Sequence, residues 1–446
     1  MNGTCRIIGG TPLKGEVTPI PNKNSLMGAL PLAAVSCAGV VYRSLPQTTD
    51  VECFLDIYRC WGATVERIGS EDVLIDCRDV SSFRVDLEVG KRLRGAFMFV
   101  GPLLSRFGVA EVPLPGGCKL GMRSIATHIN SFRKLGVTVE QEDGYLRFVA
   151  PRETGQEYTI WMLESSVTAT QNIAVYAAAR DISINIIGAS CEPHVCDVLT
   201  LLKNMGARIS GIGTNMLQIQ GSSSLGRAEF SASPDHVDVA GYLVAAAITK
   251  GRLKICGADL PLIMDGIIDW FELFGVDVKR SSGDLIVNGQ CELRLREREL
   301  PIAGRDLPKL AVRPWPGFPV DVLPVMVTLA SKTEGSILFQ NWMYETGFDF
   351  VRELNYLGAE IYMSDPQKVI VMKPVVQFVG GEIVAPGVIQ GTKALFLAGL
   401  ADPVETIIHG TDILRRRYPN IFETYQRIGA NIVCKTDRSR RMQHVA

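Results

Sequence analysis

The period of the hydrophobic pattern changes in the same order six times along this chain. Apolar residues first recur three and four positions apart, as at Val195, Val198, Leu199, Leu202 and Met205, which predicts an amphipathic helix. A short phrase follows: an apolar residue, Gly, Ala or Val, one variable residue, then Val or Ile. It reads Trp61-Gly62-Ala63-Thr64-Val65 in the first copy and returns around Gly136, Gly206, Gly275, Gly358 and Gly429, at intervals of 69 to 83 residues. The glycine marks the left-handed residue that ends a helix. Beyond it the period falls to two. Thr64–Ile68 and Val73–Asp76 read as strands around a turn, and copies two to four place Asp143-Gly144, Gly213-Thr214-Asn215 and Gly283-Asp284 in that turn. Each unit is therefore a helix–strand–turn–strand module. Its period is too long for a helical solenoid or a propeller blade. The fold class is α/β (α+β). Six modules pair most simply as three plus three, in two similar domains that meet near Ser231–Pro234. A cleft between two such domains is the usual place for a ligand.

Composition narrows this picture. The 446 residues suit two to four domains, and 47% of them are apolar, too many for a disordered chain. Lys plus Arg total 46 against 47 Asp plus Glu, a net charge of −1. That balance carries no footprint for nucleic acid or an acidic membrane. The eleven cysteines are scattered without paired spacing, and the start, MNGTCRIIGG, has neither a basic nor an apolar leader region. Reduced thiols in a cytoplasmic protein are expected. The uncharged stretch Ser25–Tyr42 is interrupted by Pro31 and reads as a buried core helix rather than a membrane span. No phosphate-binding P-loop is present, and Gly211-Ile212-Gly213 falls in a strand–turn–strand instead of a dinucleotide site. Cys191-Glu192-Pro193-His194-Val195-Cys196 has some look of a metal cluster, but it lacks a fourth ligand, and Pro193 marks a helix start.

Four segments carry candidate chemistry. In Pro115-Gly116-Gly117-Cys118-Lys119 two glycines allow close backbone approach, while Lys119 and Arg123 favour a thiolate and attract anions. The same residue types also suit a surface loop with an inert thiol. Pro21-Asn22-Lys23-Asn24-Ser25 puts a lysine at a helix start, fit for phosphate or for a plain capping turn. Trp315-Pro316-Gly317-Phe318-Pro319-Val320-Asp321 is a rigid turn that delivers one carboxylate, as a general base or as a helix cap. The run Arg415-Arg416-Arg417 precedes the last helix, and charge runs of this kind usually face solvent.

Together with the repeat frame, these segments resemble the enolpyruvyl transferases, and most closely the branch that acts on UDP-N-acetylglucosamine. The resemblance spans essentially the whole chain. It includes Gly10–Val17, Lys23-Asn24, Val100–Gly108, the Pro115–Arg123 loop, Leu243–Ile248 and Phe318–Asp321, with Gly-Gly-Cys118 the most specific signal. It implies a two-domain inside-out α/β barrel with three repeats per domain. Residues 23–233 would form the domain carrying the Cys118 loop, and 1–22 plus 234–446 the domain carrying Asp321 and Arg416. It implies transfer of the enolpyruvyl group of phosphoenolpyruvate to the 3-hydroxyl of the UDP-sugar with release of phosphate, the first committed step of peptidoglycan precursor synthesis. Asp321 would take the hydroxyl proton and Cys118 would protonate the enol carbon. Lys23, Arg123 and Arg416 would hold phosphate and carboxylate. Asn24, Arg94, His128, Ser166, Val167 and Thr168 would contact the UDP-sugar. No metal, organic cofactor, nucleic acid or membrane partner is implied.

The chain departs from the family at four places. Gly347 and Gln390 stand where arginines are expected, and losing two such cations costs roughly 2–5 kcal/mol each unless they are replaced. Arg352 and Lys393 are the candidates to replace them. Glu164 stands for a lysine before the diphosphate segment, and Thr49 for a basic residue. Two further readings therefore stay open. One is enolpyruvyl transfer to another acceptor, such as a nucleotide hydroxyl in specialised metabolism. The other is a catalytically weak paralogue that binds a sugar nucleotide.

Overall fold

The computed structural model describes residues 3–114, 124–152, 157–296 and 307–435. All six phrase glycines take positive φ, from +77° at Gly62 and Gly136 to +116° at Gly206, a region open to a residue without Cβ. Helix Pro193–Asn204 buries Val195, Val198, Leu199 and Leu202, the stripe that its spacing predicts, and Pro193 opens it. Hairpin turns follow the glycines, with Asp143-Gly144 and Ser282-Gly283 both left-handed as two-residue turns require.

The described strands form five four-stranded sheets and one three-stranded sheet. One pattern recurs. Glu157–Trp161 runs parallel to Ser183–Ile187, which pairs antiparallel with Met216–Gln220, which pairs antiparallel with Arg208–Ser210. In the three-stranded sheet the parallel neighbour shrinks to one bridge between Arg84 and Glu111. Most strands bury alternate residues, such as Leu217 and Ile219 in Met216–Gln220, which gives their sheets a wet face and a dry one, while Val40–Arg43 and Val109–Pro113 bury consecutive residues. Helices fill the dry side. All residues of His236–Ile248 and Leu323–Ala330 are buried, and nearly all of Ile389–Ala401, and these three helices pack on one another. A helix apolar all round belongs inside. The architecture is mixed α/β with helices within and sheets without.

Buried apolar residues separate into two cores. One draws on residues between Leu26 and Phe230, the other on Cys5–Val17 together with residues between Val237 and Ile432. The chain passes between them twice, side by side. The Asn22 amide donates to the Ser233 carbonyl at 2.8 Å, and the Asp235 amide donates to the Ile20 carbonyl at 2.8 Å.

Two local outcomes differ from the sequence reading. Ser25–Tyr42 is not one helix. It divides into helix Lys23–Ala29, a 3-10 segment Leu30–Val35 and strand Val40–Arg43. Pro31 removes a backbone donor at the first break, and Val40-Val41-Tyr42 favours a strand after the second. The sixth module is also completed differently: Asn431–Lys435 pairs with Thr4–Ile8, so the start of the chain supplies the second strand of its hairpin. No described helix is long and apolar enough to cross a membrane.

Candidate functional site

The paired crossings set two helix starts next to each other, and the charged residues gather there. Asn22 caps helix Lys23–Ala29, its side-chain oxygen accepting from the amides of Asn24 at 3.0 Å and Ser25 at 3.2 Å. Lys23 is thus the first helical residue and leans on the Asp50 carboxylate. Asp50 lies in the first turn of helix Thr49–Cys60, whose cap is Thr48. Arg416 reaches the same carboxylate from the other core, with Nη2 3.2 Å from Oδ1. Burial holds the Lys23 ammonium below its ordinary range against the pull of Asp50. Burial alone would raise the Asp50 carboxyl, but Lys23 and Arg416 outweigh it and leave it below the usual carboxylate range.

Asp235 caps the other helix start, His236–Ile248, and is fully buried. Arg417 grips it with two parallel bonds, Nε at 2.8 Å and Nη2 at 2.9 Å. Its remaining Nη1 donates to Asp321 at 3.0 Å. Asp321 sits in the short 3-10 turn Val320–Val322 and keeps a quarter of its side chain exposed. Burial disfavours the Arg417 cation, yet Asp235 and Asp321 hold it firmly charged. The run of three arginines is therefore not a solvated face throughout: Arg416 is half exposed, and Arg417 is buried between two carboxylates.

Farther out on the first core lies a second group. His128 Nε2 is 3.0 Å from the Thr168 hydroxyl, and its Nδ1 is 3.4 Å from Asn172 Nδ2. Burial, then the nearby Arg94 charge, pushes this imidazole down to about 3, so it is neutral. Ser166 caps helix Val167–Ala178, accepting from the Ala169 amide, and Val167 and Thr168 form its first turn. The structure thus gathers Arg94, His128 and Thr168 at one helix start. Glu164 is beside them, its carboxylate accepting from Thr127 Oγ1 at 3.1 Å. Cys118 and Arg123 lie outside the described residues.

The departures have local explanations. A Cβ at Gly347 would run into the Asn341 amide, which is buried and caps the Met343 and Tyr344 amides at 3.2 and 3.3 Å. Gln390 is buried on helix Ile389–Ala401. Its Oε1 lies 3.4 Å from the Tyr418 hydroxyl, while its Nε2 has no partner among the described residues. Lys393 does not replace the missing charge. It is fully buried, donates to Asp238 at 2.8 Å and lies 3.9 Å from the Tyr418 ring centre. Its charge is already matched. Arg352 is exposed on helix Val351–Tyr356, and Thr49 is exposed at the start of its own helix. The Cys191–Cys196 segment is a helix start, and no described group of three or more His, Cys, Asp or Glu is arranged to hold a metal ion.

Sequence reading missed Asp50, Asp235 and Arg417. Asp235 had a signal, an acidic residue after Ser-Pro at the start of an apolar helix, but it read only as a boundary. Asp50 and Arg417 look like ordinary surface charges until the fold brings their distant partners to them.

Comparisons with known proteins bear on this arrangement. Residues 7–425 match the family described as EPSP synthase (3-phosphoshikimate 1-carboxyvinyltransferase). The UDP-N-acetylglucosamine 1-carboxyvinyltransferase of Bradyrhizobium diazoefficiens is 33% identical over 424 residues, covering 95% of this chain and 96% of that one. The protein of the same name from Porphyromonas gingivalis is 32% identical, covering 96% and 98%. Among solved structures, the enolpyruvyl transferase NikO from Streptomyces tendae superposes with a TM-score of 0.84 at 23% identity, over 98% of this chain and 99% of that one. EPSP synthase from Acinetobacter baumannii superposes with a TM-score of 0.75 at 16% identity, over 97% and 100%. The two solved structures share the fold. The family match over nearly the whole chain, together with relatives above 30% identity, shows that this chain belongs to the EPSP synthase family of enolpyruvyl (1-carboxyvinyl) transferases.

Proposed function

We propose that this chain moves the enolpyruvyl group of phosphoenolpyruvate onto the 3-hydroxyl of UDP-N-acetylglucosamine and releases phosphate, as a cytoplasmic step in peptidoglycan precursor synthesis. The observation that carries this reading is the meeting of Lys23, Asp321 and Arg416 at the double crossing, through Asp50 on one side and Arg417 on the other. In this reading residues 23–233 form one domain and residues 1–22 plus 234–446 the other, with the substrates between them. Lys23 and Arg416 exchange Asp50 for the anionic donor. Arg417 holds the Asp321 carboxylate in place, and Asp321 takes the acceptor proton as the hydroxyl oxygen bonds to C2 of phosphoenolpyruvate. Cys118 protonates C3. The tetrahedral adduct then loses a C3 proton and phosphate, leaving the enol ether on the sugar. Fixed cations in a site that closes suit an adduct carrying several negative charges. Arg123 is assigned to the phosphate and carboxylate with Lys23 and Arg416, and Asn24, Arg94, His128, Ser166, Val167 and Thr168 to the UDP-sugar.

A second reading keeps the chemistry and changes the acceptor to a nucleotide hydroxyl. Glu164 favours it, since a carboxylate beside the helix start at Ser166 repels a diphosphate. The test is phosphate release from phosphoenolpyruvate with UDP-N-acetylglucosamine, other UDP-sugars and free nucleotides in turn. Release should require both substrates. It should collapse in Cys118→Ala, and fall by about 10²–10⁴-fold in Asp321→Asn. Release with a free nucleotide alone selects the second reading. Sugar-nucleotide binding without release with any acceptor selects a non-catalytic paralogue.

A further inference from the structure

Two imidazoles beside Asp321 take no part in the steps above. His194 is the second residue of helix Pro193–Asn204, on the first core, and His236 is the first residue of His236–Ile248, on the second. Both are at least nine-tenths buried. The main chain of His194 is pinned, because its carbonyl accepts from Gln171 Nε2 at 3.1 Å. The segment ahead of it is tied to the turn that carries Asp321, since Cys191 Sγ donates to the Trp315 carbonyl at 2.9 Å. His194 lies within electrostatic reach of Glu192, His236, Asp321 and Arg417. Its neighbour has company: His236 Nδ1 is 3.5 Å from Asn22 Nδ2. His194 Nδ1 has none, and no described residue offers it a hydrogen bond. An unpaired polar atom at this depth is unfavourable, and buried polar atoms in native proteins are nearly always satisfied. Burial keeps this imidazole neutral, lowering it to about 4, so Nδ1 is free to donate or accept according to its tautomer.

We infer that His194 Nδ1 is a specificity contact for the acceptor, hydrogen-bonding the polar substituent on the carbon next to the reacting hydroxyl. The ligand class is a sugar carrying a hydroxyl or acylamino group vicinal to the hydroxyl that Asp321 deprotonates. The inference rests on the reading that Asp321 meets the acceptor. On a sugar ring two vicinal polar groups lie about one hydrogen-bond length apart, so in this inference one reaches Asp321 while the other takes the open place at His194 Nδ1. A neutral imidazole there rejects an acceptor lacking the second group, because its nitrogen is left unpaired. It does so without adding charge beside Arg417.

The test compares His194→Phe, His194→Asn and His194→Gln with the unaltered protein. Asparagine places a polar atom where Nδ1 stands; glutamine reproduces Nε2 instead. Phosphate release gives acceptor and donor KM separately, and calorimetry gives UDP-N-acetylglucosamine binding directly. His194→Phe and His194→Gln should raise acceptor KM, and weaken sugar-nucleotide binding, by about tenfold with donor KM unchanged. His194→Asn should recover most of that loss. An unchanged acceptor KM in His194→Phe overturns the inference, and so does a parallel rise in both KM values that asparagine fails to rescue. Should phenylalanine prevent folding, the asparagine and glutamine variants decide, and equal behaviour of the two overturns it. Binding without turnover in the unaltered protein refutes the proposed reaction alone, and the calorimetric comparison still judges His194. If the unaltered protein binds neither UDP-N-acetylglucosamine, UDP nor UMP, both readings fall.

Discussion

Lys393 and Arg417 are both buried cations, and each is neutralised by a carboxylate from the start of the same helix, Asp238 and Asp235. A buried pair loses more when one member is removed than it contributes as a pair, since the survivor is left uncompensated. Lys393→Met is therefore expected to destabilise the fold by about 3–5 kcal/mol. Donor KM should stay within about twofold, because the ammonium faces Asp238 and Tyr418. Denaturant unfolding and steady-state kinetics on the same variant check both halves. The histidines add a pH dependence. Burial lowers His128 from 6.5 to about 3 and His194 from 6.5 to about 4, and it lowers His236 as well. The unfolded chain then binds protons that the folded chain refuses. Stability should fall as pH drops from about 6.5 towards 4, by up to about 1.4 kcal/mol per pH unit for each of His128 and His194, with His236 acting in the same direction. Thermal melts between pH 7.5 and 5 should show a shallower decline in His128→Gln; an unchanged slope would remove His128 from this account.

At the scale of elements, the repeat is a backbone device. The residue after each amphipathic helix must turn left-handed so that the next strand leaves towards the sheet. Gly62 isolates this effect, with φ at +77° and no atom within 4 Å of where a Cβ would stand. Gly62→Ala should cost about 1 kcal/mol from backbone conformation alone, and Gly62→Asn less, since asparagine tolerates the left-handed region. Equal unfolding midpoints for alanine and glycine would refute this. The central helices follow a different rule. His236–Ile248 has no polar stripe, because helices and sheets enclose it on every side. Its one interior acid, Asp238, is present with Lys393 as its counter-ion.

At the scale of the molecule, the ends of the chain and the middle are interdependent. Thr4–Ile8 lies between Glu405–His409 and Asn431–Lys435, and Lys14–Val17 pairs in parallel with Arg252–Ile255. Deleting residues 1–9 would break two strand pairings and take the buried Cys5 and Ile7 out of the core. Thermal unfolding should then occur in two steps, with the core of residues 237–432 melting first. A single unshifted transition would contradict this. The same connectivity builds the site. Because both crossings pair backbone to backbone, Lys23 and Asp235 start their helices side by side; Arg416 reaches across to Asp50, while Arg417 holds Asp235 on its own side.

The repeat, the class of fold and the place of the helix-ending glycines were legible in the chain alone, since these depend on local periodicity and on which residue tolerates positive φ. The sequence also marked Lys23, Asp321 and Arg416 as candidates, through short contiguous segments that resemble the enolpyruvyl transferases, while residue types alone left each a capping or solvent-facing alternative. What it left undecided was pairing. That Arg417 is buried, that Asp50 answers two cations, that Lys393 is already spoken for and that the first strand completes the last module all depend on residues far apart in the chain: 96 positions for Asp321 and Arg417, 366 for Asp50 and Arg416, and more for the paired end strands. Charge and burial are properties of the space around a side chain. Tertiary packing, within each core and for Arg416 and Asp50 between the two, settled which carboxylate stands beside which cation.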